Sequence, residues 1–484
     1  MGQNDSAFYP LSDEQIVQDV LPRYKEALGW LYSFFSDPDE LRPDRPKRTP
    51  EEWRERMPML LERMALWYAS IGRPQERYPA VHIAGTGGKG STTMLIGKIL
   101  EGVAGRVGVH CSPYLQVPGE KLVINGRIIA PSRFVEIVAL LREQCDRFRQ
   151  RYPELRLTHG MVQVALFFLY FAESDLDWAV IETGLGGRFD LTNVLTPELS
   201  VITNIDYDHV NSLGPEIWRI AWQKAGIIKA GKPAITGEEK PEALAEIRKE
   251  ARIQGSRLYC MGEDWSWETV SMDASGLTLN VRAPYGRYEQ IWMPILGPFQ
   301  GQNAGLAIAA ADVLSHEQGL GLDEEIVREQ LARARLPGRL EVMQRSPLAI
   351  VDGAHNPQKA RSLAQAMRAL YSDRSYTLVF GMLGTKDAES SLRYLLPQAA
   401  RVAVTRPLVK GKRATEPEEM ADVVRGLEPD VPLEVYPSVR QAMDAVPDDM
   451  VLITGSLYMI GEAREYWVTS QQLLIEAEQG VRYL

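Results

Sequence analysis

Residues Val81–Met94 read VHIAGTGGKGSTTM. A short apolar run, Val81–Ala84, leads into Gly85-Thr86-Gly87-Gly88-Lys89-Gly90-Ser91, and a helix-like segment follows. A strand that ends in a glycine-rich loop with a lysine and continues as a helix is the arrangement that binds nucleotide phosphates. Glycines let backbone N–H groups turn inward as a cradle, the helix N-terminus adds a partial positive charge, and Lys89 supplies a point charge. The spacing departs from G-x-x-x-x-G-K. Ile83 stands where the first glycine would be, and Gly90 follows the lysine in place of Ser or Thr. A glycine-rich turn with no ligand is the competing reading of this segment alone.

The rest of the chain puts that loop inside an α/β layer. Residues 12–34 and 51–70 pattern as helices on either side of a Pro-, Asp- and Arg-rich stretch, Ser36–Thr49, which reads as a loop. Strands are then predicted at Ala80–Gly85, Val107–Cys111, Trp178–Glu182, Ser200–Ile205 and Pro233–Thr236. Helices are predicted between and after them, at Ser91–Glu101, Pro131–Gln150, Met161–Glu173, Ile217–Ile228 and Pro241–Gln254. This alternation predicts a mostly parallel sheet with helices on both faces. Leu277–Pro294 alternates like a β-hairpin, and helices are expected at Gln302–Ser315 and Asp323–Arg335. Leu336-Pro337-Gly338-Arg339 then punctuates the chain, and a second alternation begins. Its strands are expected at Leu348–Asp352, Tyr376–Phe380, Arg401–Val404, Leu433–Tyr436 and Met450–Thr454.

At 484 residues the chain exceeds the usual single-domain size. Its net charge of −10 argues against a sequence-independent grip on nucleic acid or an anionic membrane. Cys111, Cys145 and Cys260 are widely spaced and odd in number, with no zinc or disulfide pattern, which suits the cytoplasm. The longest apolar stretch, Met161–Ala172, is too short to span a bilayer.

Strand ends carry the chemistry, as ligands in open α/β sheets sit at the carboxyl ends of strands. Glu182 ends one predicted strand, before Thr183-Gly184-Leu185-Gly186-Gly187-Arg188. It reads either as a magnesium-binding carboxylate beside the phosphate loop or as the partner of Arg188 in a salt bridge. The strand Ser200–Ile205 runs into Asp206-Tyr207-Asp208-His209, where His209 is a ligand or proton-transfer candidate. Lys224 lies among Ala221, Ala225, Ile227 and Ile228, which predicts partial burial; a buried lysine is readily neutralised or modified. In the second alternation, Asp352-Gly353-Ala354-His355-Asn356-Pro357 ends a strand and opens a helix. Asp352 and His355 are candidates for ribose and phosphate contacts; helix capping is the competing reading.

Taken in order, these segments resemble folylpolyglutamate synthase and its bifunctional relative dihydrofolate synthase, within the Mur ligase superfamily. The resemblance runs from about Tyr24 to Arg464. Gly85–Ser91 is similar to the family's Gly-Thr-Asn-Gly-Lys-Gly-Ser loop, and Ser112-Pro113-Tyr114-Leu115 to its Ser-Pro-His-Leu. Glu182–Asn193 matches the family's Glu-Val-Gly-Leu-Gly-Gly-Arg block, Asp208–Gly214 its Asp-His-x-x-x-Leu-Gly, and 224–229 its Lys-Ala-Gly-Ile-Ile-Lys. Gln300 and Asn303, Pro337-Gly338-Arg339, Asp352–Pro357 and Gly455–Tyr458 complete the set.

The resemblance implies an α/β, two-domain, Mur-ligase-like fold. A P-loop ATPase domain would span residues 1–335, a linker 336–339, and a smaller Rossmann-like α/β domain 340–484. It implies ATP and two Mg²⁺ ions. Lys89 and the loop residues Gly85, Thr86, Gly87, Gly88, Gly90 and Ser91 would hold the β- and γ-phosphates. Ser112 and Glu182 would bind one magnesium; Glu182, His209 and a carbamylated Lys224 would bind the second. Lys89, Glu182, His209 and Lys224 thereby form the expected catalytic set. Asn303, Arg339, Asp352 and His355 would contact the nucleotide. The implied reaction joins L-glutamate to a dihydropteroate or reduced folate through an acyl phosphate, in a cytoplasmic monomer. A Mur-type ligase with another carboxylate, or a nucleotide-binding relative without turnover, are the alternatives. Three residues depart from the family pattern: Gly87 for Asn, which is expected to loosen the loop, Tyr114 for His, and Phe299 for His.

Overall fold

The computed structural model describes residues 11–34, 50–207, 213–384, 387–409, 413–446 and 449–484. The stretch Ser36–Thr49 and His209 lie outside them.

The first sheet has eight strands in the order β4-β3-β2-β5-β1-β6-β7-β8. These are β1 Ala80–Ala84, β2 Val107–His110, β3 Val123–Ile124, β4 Arg127–Ile128, β5 Trp178–Glu182, β6 Leu199–Ile202, β7 Ala234–Thr236 and β8 Leu258–Cys260. From β2 to β8 all neighbours are parallel, and β3 and β4 add an antiparallel edge. Every residue of β1, β2, β5 and β6 is buried, which is why these strands read as continuous apolar runs. Burial reaches even the two histidines in the sheet, His82 and His110.

The topology explains the placement of the phosphate loop. The chain leaves β1 at the centre of the sheet and returns first on one side, as β2 and β5, then on the other, as β6. The carboxyl ends of β5, β1 and β6 therefore sit side by side at the point where the winding reverses, and open a crevice there. Helices Lys89–Leu100 and Phe299–Gln318 cover one face. The latter is alanine-rich and buried from Ala304 to Leu314. On the other face, His159–Ala172 is the buried helix expected of Met161–Ala172.

The alternating stretch Leu277–Pro294 forms β10 (Gly276–Arg282) and β11 (Arg287–Met293). The structure adds a third antiparallel strand, β9 (Ser266–Asp273). Most of β9 is exposed, so its sequence lacks the apolar alternation that marks a half-buried strand. Leu277, Leu279 and Val281 of β10 join the core formed by Leu95, Ile96, Val180 and Val201.

The second sheet has six strands in the order β12-β13-β17-β14-β15-β16. They are β12 Glu341–Arg345, β13 Leu348–Asp352, β14 Tyr376–Phe380, β15 Ala399–Val404, β16 Leu433–Val435 and β17 Met450–Thr454. Only β12 runs antiparallel. The chain's last helix, Ser470–Glu478, returns to the first part of the molecule: Leu474 and Ala477 pack in the same core as Phe134 and Leu141. The backbone N–H groups of Tyr483 and Leu484 both donate to the carbonyl of Gly126. No helix among the described residues is long and apolar enough to cross a membrane.

Candidate active site

A cavity of about 250 Å³ lies where the carboxyl ends of the two sheets face each other. Its first wall is the loop after β1, and that loop is held from beneath. The Thr86 N–H donates to the Asn204 carbonyl at 2.8 Å, and the Gly87 N–H to Asn204 Oδ1 at 2.8 Å. Thr203 Oγ1 donates to the Gly87 carbonyl at 2.6 Å. Thr203 and Asn204 follow β6, so the neighbouring strand end fixes the loop. Both backbone polar groups of Gly87 are thereby bonded.

Two positions in the loop demand glycine. Gly85 has φ +155 and a side chain there would meet Thr203 Oγ1 at 1.8 Å; Gly88 has φ +79 and a side chain would meet Asn303 Oδ1 at 2.1 Å. At Gly87 a Cβ would rest 3.4 Å from the Asn204 amide, an ordinary contact.

Lys89 opens the helix Lys89–Leu100. Its Nζ lies 3.1 Å from the Gly85 carbonyl and 3.9 Å from Glu182 Oε1. Glu182, at the tip of β5, is 4% exposed, and its Oε2 accepts the Ser112 N–H at 3.0 Å. Burial raises its pKa above the usual carboxylate range, against the opposing pull of Lys89. The alternative partner, Arg188, points away: it bonds Glu250 at 2.5 Å and the Trp222 carbonyl. Lys224 is buried at the end of helix Ile217–Ala225, and its Nζ donates to the Gly85 carbonyl at 2.6 Å. Both lysines thus converge on one carbonyl of the loop.

The second wall comes from the linker and the second sheet. Asp352 ends β13, is buried, and accepts the N–H groups of Leu340 and Ala354 at 2.9 and 2.8 Å. Burial pushes its pKa up, and the Arg339 guanidinium opposes that shift. Asn356 caps the helix Pro357–Leu370 by accepting the Lys359 N–H, as the capping reading of this segment expects. His355 Nδ1 lies 2.8 Å from the Gly353 carbonyl and its Nε2 3.2 Å from Lys359 Nζ. Gln358 Nε2 crosses to Asp206 Oδ2 at 2.6 Å, tying the two walls together.

The cavity therefore gathers Thr86–Ser91, Ser112, Glu182, Asn303, Arg339, Asp352 and His355 from the predicted set, while Gly85 is not among its lining residues. Lys224 stands behind the loop rather than in the cavity lining. Sequence reasoning did not single out Asn204, Gln358 or Lys359, which also line it. Asn204 carried a signal, as it lies at a strand end two residues before Asp206. Gln358 and Lys359 carried none, since their positions depend on how the second unit faces the first. Beside Asn303, Gln300 Nε2 is buried with no hydrogen-bond partner among the described residues, a donor free for a ligand. Phe299 lines the cavity and also packs toward the second core. Tyr114 Oη pairs with Tyr32 Oη at 3.2 Å. Lys89, Arg339 and Lys359 surround a space that also holds the buried carboxylates Glu182 and Asp352, a charge pattern that suits a polyphosphate with a metal ion.

Comparison with known proteins places the chain among relatives. Residues 83–311 match the Mur ligase middle domain and residues 338–457 the Mur ligase glutamate ligase domain. The chain is 34% identical to dihydrofolate synthase/folylpolyglutamate synthase of Bacillus subtilis, over 84% of this chain and 94% of that protein. It superposes on Mycobacterium tuberculosis folylpolyglutamate synthase complexed with ADP at a TM-score of 0.80. That match has 30% identity and covers 93% of this chain and 99% of the other. An FPGS–AMPPCP–folate complex superposes at 0.74, with 29% identity over 92% and 99%.

Proposed function

Since the chain belongs to the Mur ligase family and, within it, to the folylpolyglutamate and dihydrofolate synthases, it is an ATP-dependent ligase, and we propose that it joins L-glutamate to the carboxylate of a dihydropteroate or reduced folate. What carries this reading is the single cavity in which a phosphate loop, a buried carboxylate and a cationic second wall meet.

Lys89 and the loop Gly85–Ser91 hold the β- and γ-phosphates, through the N–H groups from Gly88 to Ser91, since those of Thr86 and Gly87 are bonded to Asn204. Asn303 and the Gln300 Nε2 donor serve the base side. Arg339, Asp352 and His355 reach ATP from the linker and the second unit, so that residues 1–335 and 340–484 act as two domains whose closure completes the site. Ser112 and Glu182 fit one magnesium ion, since both offer hard oxygen donors and the Ser112 backbone N–H bonds Glu182 Oε2, with Lys89 Nζ 3.9 Å from Glu182 Oε1. Glu182, His209 and Lys224 as a carbamate would hold a second. A carbamylated Nζ keeps one N–H, which continues to serve the Gly85 carbonyl. Magnesium, when bound, neutralises charge on the transferred phosphoryl group.

The acceptor carboxylate attacks the γ-phosphorus, and the bond to ADP breaks, giving an acyl phosphate. The glutamate amine attacks the acyl carbon and gives up a proton, and phosphate leaves the tetrahedral intermediate. No covalent enzyme nucleophile is used. Lys89, Arg339 and Lys359 offset phosphate charge throughout, in a crevice that domain closure screens from water. The enzyme works as a cytoplasmic monomer with no nucleic-acid or membrane partner.

Phosphate release from ATP that depends on both glutamate and either dihydropteroate or tetrahydrofolate is the expected result. Tight ATP binding with no release in the presence of any folate overturns the reading. The Lys224→Ala variant should lose at least about 10²-fold in turnover, with bicarbonate unable to restore it. Full activity in that variant overturns the carbamate.

A further inference from the structure

A second cavity, of about 720 Å³, adjoins the phosphate-loop cavity, and Arg339 lines both. Its floor is the stretch of chain that joins the two sheets, Ala332–Pro337. One wall comes from β12, the other from the last helix and C-terminal tail. The volume is that of a site for a sizeable organic ligand, and of the residues assigned above to ATP and magnesium only Arg339 lines it.

The lining has two chemical parts. Leu296, Leu336, Pro337, Val342, Met343 and Leu473 supply an apolar surface. Around it stand Arg333, Arg335 and Arg345, all exposed, none with a side-chain hydrogen-bond or ion-pair partner among the described residues. The other charges are mostly spent. Arg464 pairs with Glu341 and Arg482 with Glu101, which leaves Glu476 as the one lining carboxylate without a cationic partner among the described residues. The surplus is therefore positive.

The free cations are also spread out. Arg333 lies within electrostatic reach of Lys98, on the helix after the phosphate loop, whereas Arg345 lies within reach of Tyr371 in the second domain. A compact anion would be met by converging donors. Cations on both domains around an apolar floor suit an extended anion with several carboxylates and an apolar body.

We propose that this cleft is a second ligand site, for a folate that carries a tail of several γ-linked glutamates. Its ring system lies on the apolar floor and its tail carboxylates meet Arg333, Arg335 and Arg345. The inference rests on the ligase reading for the identity of the ligand, since such a molecule is that reaction's elongated product. The ligand bridges the linker, so its binding bears on the relative position of the two domains.

The test titrates the full chain, saturated with AMPPCP and a monoglutamyl folate, with pteroyl-penta-γ-glutamate. One further equivalent is expected to bind, more weakly as salt is raised. In R333A/R335A/R345A that binding should weaken by about tenfold or more, while turnover of the monoglutamyl acceptor stays within about twofold. These arginines are exposed and touch no group assigned to the reaction, so the variant is expected to fold. Pteroate without a tail and ATP should each bind the cleft at least about tenfold more weakly than the pentaglutamate. No further equivalent in the wild type, unchanged affinity in the triple variant, or ATP binding there equally well each overturns the proposal. Absence of folate-dependent phosphate release together with tail-dependent binding that the triple variant loses would remove the ligase reading and leave the cleft standing.

Discussion

The two walls of the phosphate-loop cavity are built in opposite ways. The first is wired to its neighbours. Its backbone groups bond to Thr203 and Asn204 from the adjacent strand end, and Lys89 and Lys224 both donate to the Gly85 carbonyl. The second is mostly wired to itself and its linker: Asp352 to Leu340 and Ala354, His355 to Gly353, Asn356 to Lys359. Among the described residues, a side-chain bond joins the two, from Gln358 to Asp206. The first wall is thus preformed by one sheet, whereas the second is an internally finished module that the linker carries into place. In the proposed reaction, preorganisation would belong to the first wall and closure to the second.

The largest expected effect comes from breaking the first wall at one atom. Gly88→Ala forces a side chain into a left-handed backbone position, with its Cβ 2.1 Å from Asn303 Oδ1. It should lower kcat/KM by about 10²-fold through loss of phosphate and base-side contacts. Gly87→Asn, one residue away, restores the residue type that resembles the family's loop. Its Cβ meets only an ordinary contact of 3.4 Å, and the variant should stay within about threefold of the parent. Steady-state kinetics with varied ATP distinguish the two. Equal losses in both variants would mean that the loop tolerates no side chain and that its wiring to Asn204 is not what shapes it.

A smaller effect separates the two sheets by pH. His82 and His110 are buried in β1 and β2, and burial lowers each to about 3. His110 is stacked on Phe167 with centroids 3.8 Å apart and bonds the Lys121 carbonyl. A depressed histidine contributes stability that is present above its unfolded pKa and lost as pH falls through that value toward the folded one. At pH 5 the loss is about 2 kcal/mol per histidine relative to pH 7. His110→Phe removes one such group, so the stability difference between parent and variant should move by that amount in the variant's favour between pH 7 and pH 5. Chemical unfolding at the two values measures it. A pH-independent difference would mean that His110 is already solvated in the native state.

How far the sequence discloses all this depends on whether a feature is local. The strands β1, β5 and β13, with Glu182 and Asp352 at their tips, are legible because burial on both faces makes an apolar run and a polar residue ends it. Lys224 is legible for the same reason: its neighbours on the helix are apolar, and it is indeed buried. His82 and His110 show the limit of such reasoning, as a histidine within an apolar strand and one at a strand end look equally chemical in sequence, and both are core residues. The partner of Glu182 was left open between metal and Arg188, and only the fold sends Arg188 to Glu250. Gln358, Lys359 and the arginine-rimmed cleft are illegible because they arise where residues distant in the chain meet across the linker.

The smallest expected effect tests whether closure depends on a single cross-contact. Gln358 Nε2 donates to Asp206 Oδ2, which also lies 3.5 Å from Lys240 Nζ, so Asp206 keeps a partner if the glutamine is removed. Gln358→Ala therefore leaves no orphaned charge, and its cost is that of one hydrogen bond to a charged acceptor at a half-buried position. That is about 1 kcal/mol, or roughly a fivefold rise in KM for ATP with kcat little changed, if the bond forms in the bound state and the walls otherwise stay as they are. A fall in kcat of the size expected for Gly88→Ala would show instead that this contact sets the closed geometry itself. The second wall would then be as dependent on its neighbour as the first, and the contrast between a preformed wall and a carried one would fail.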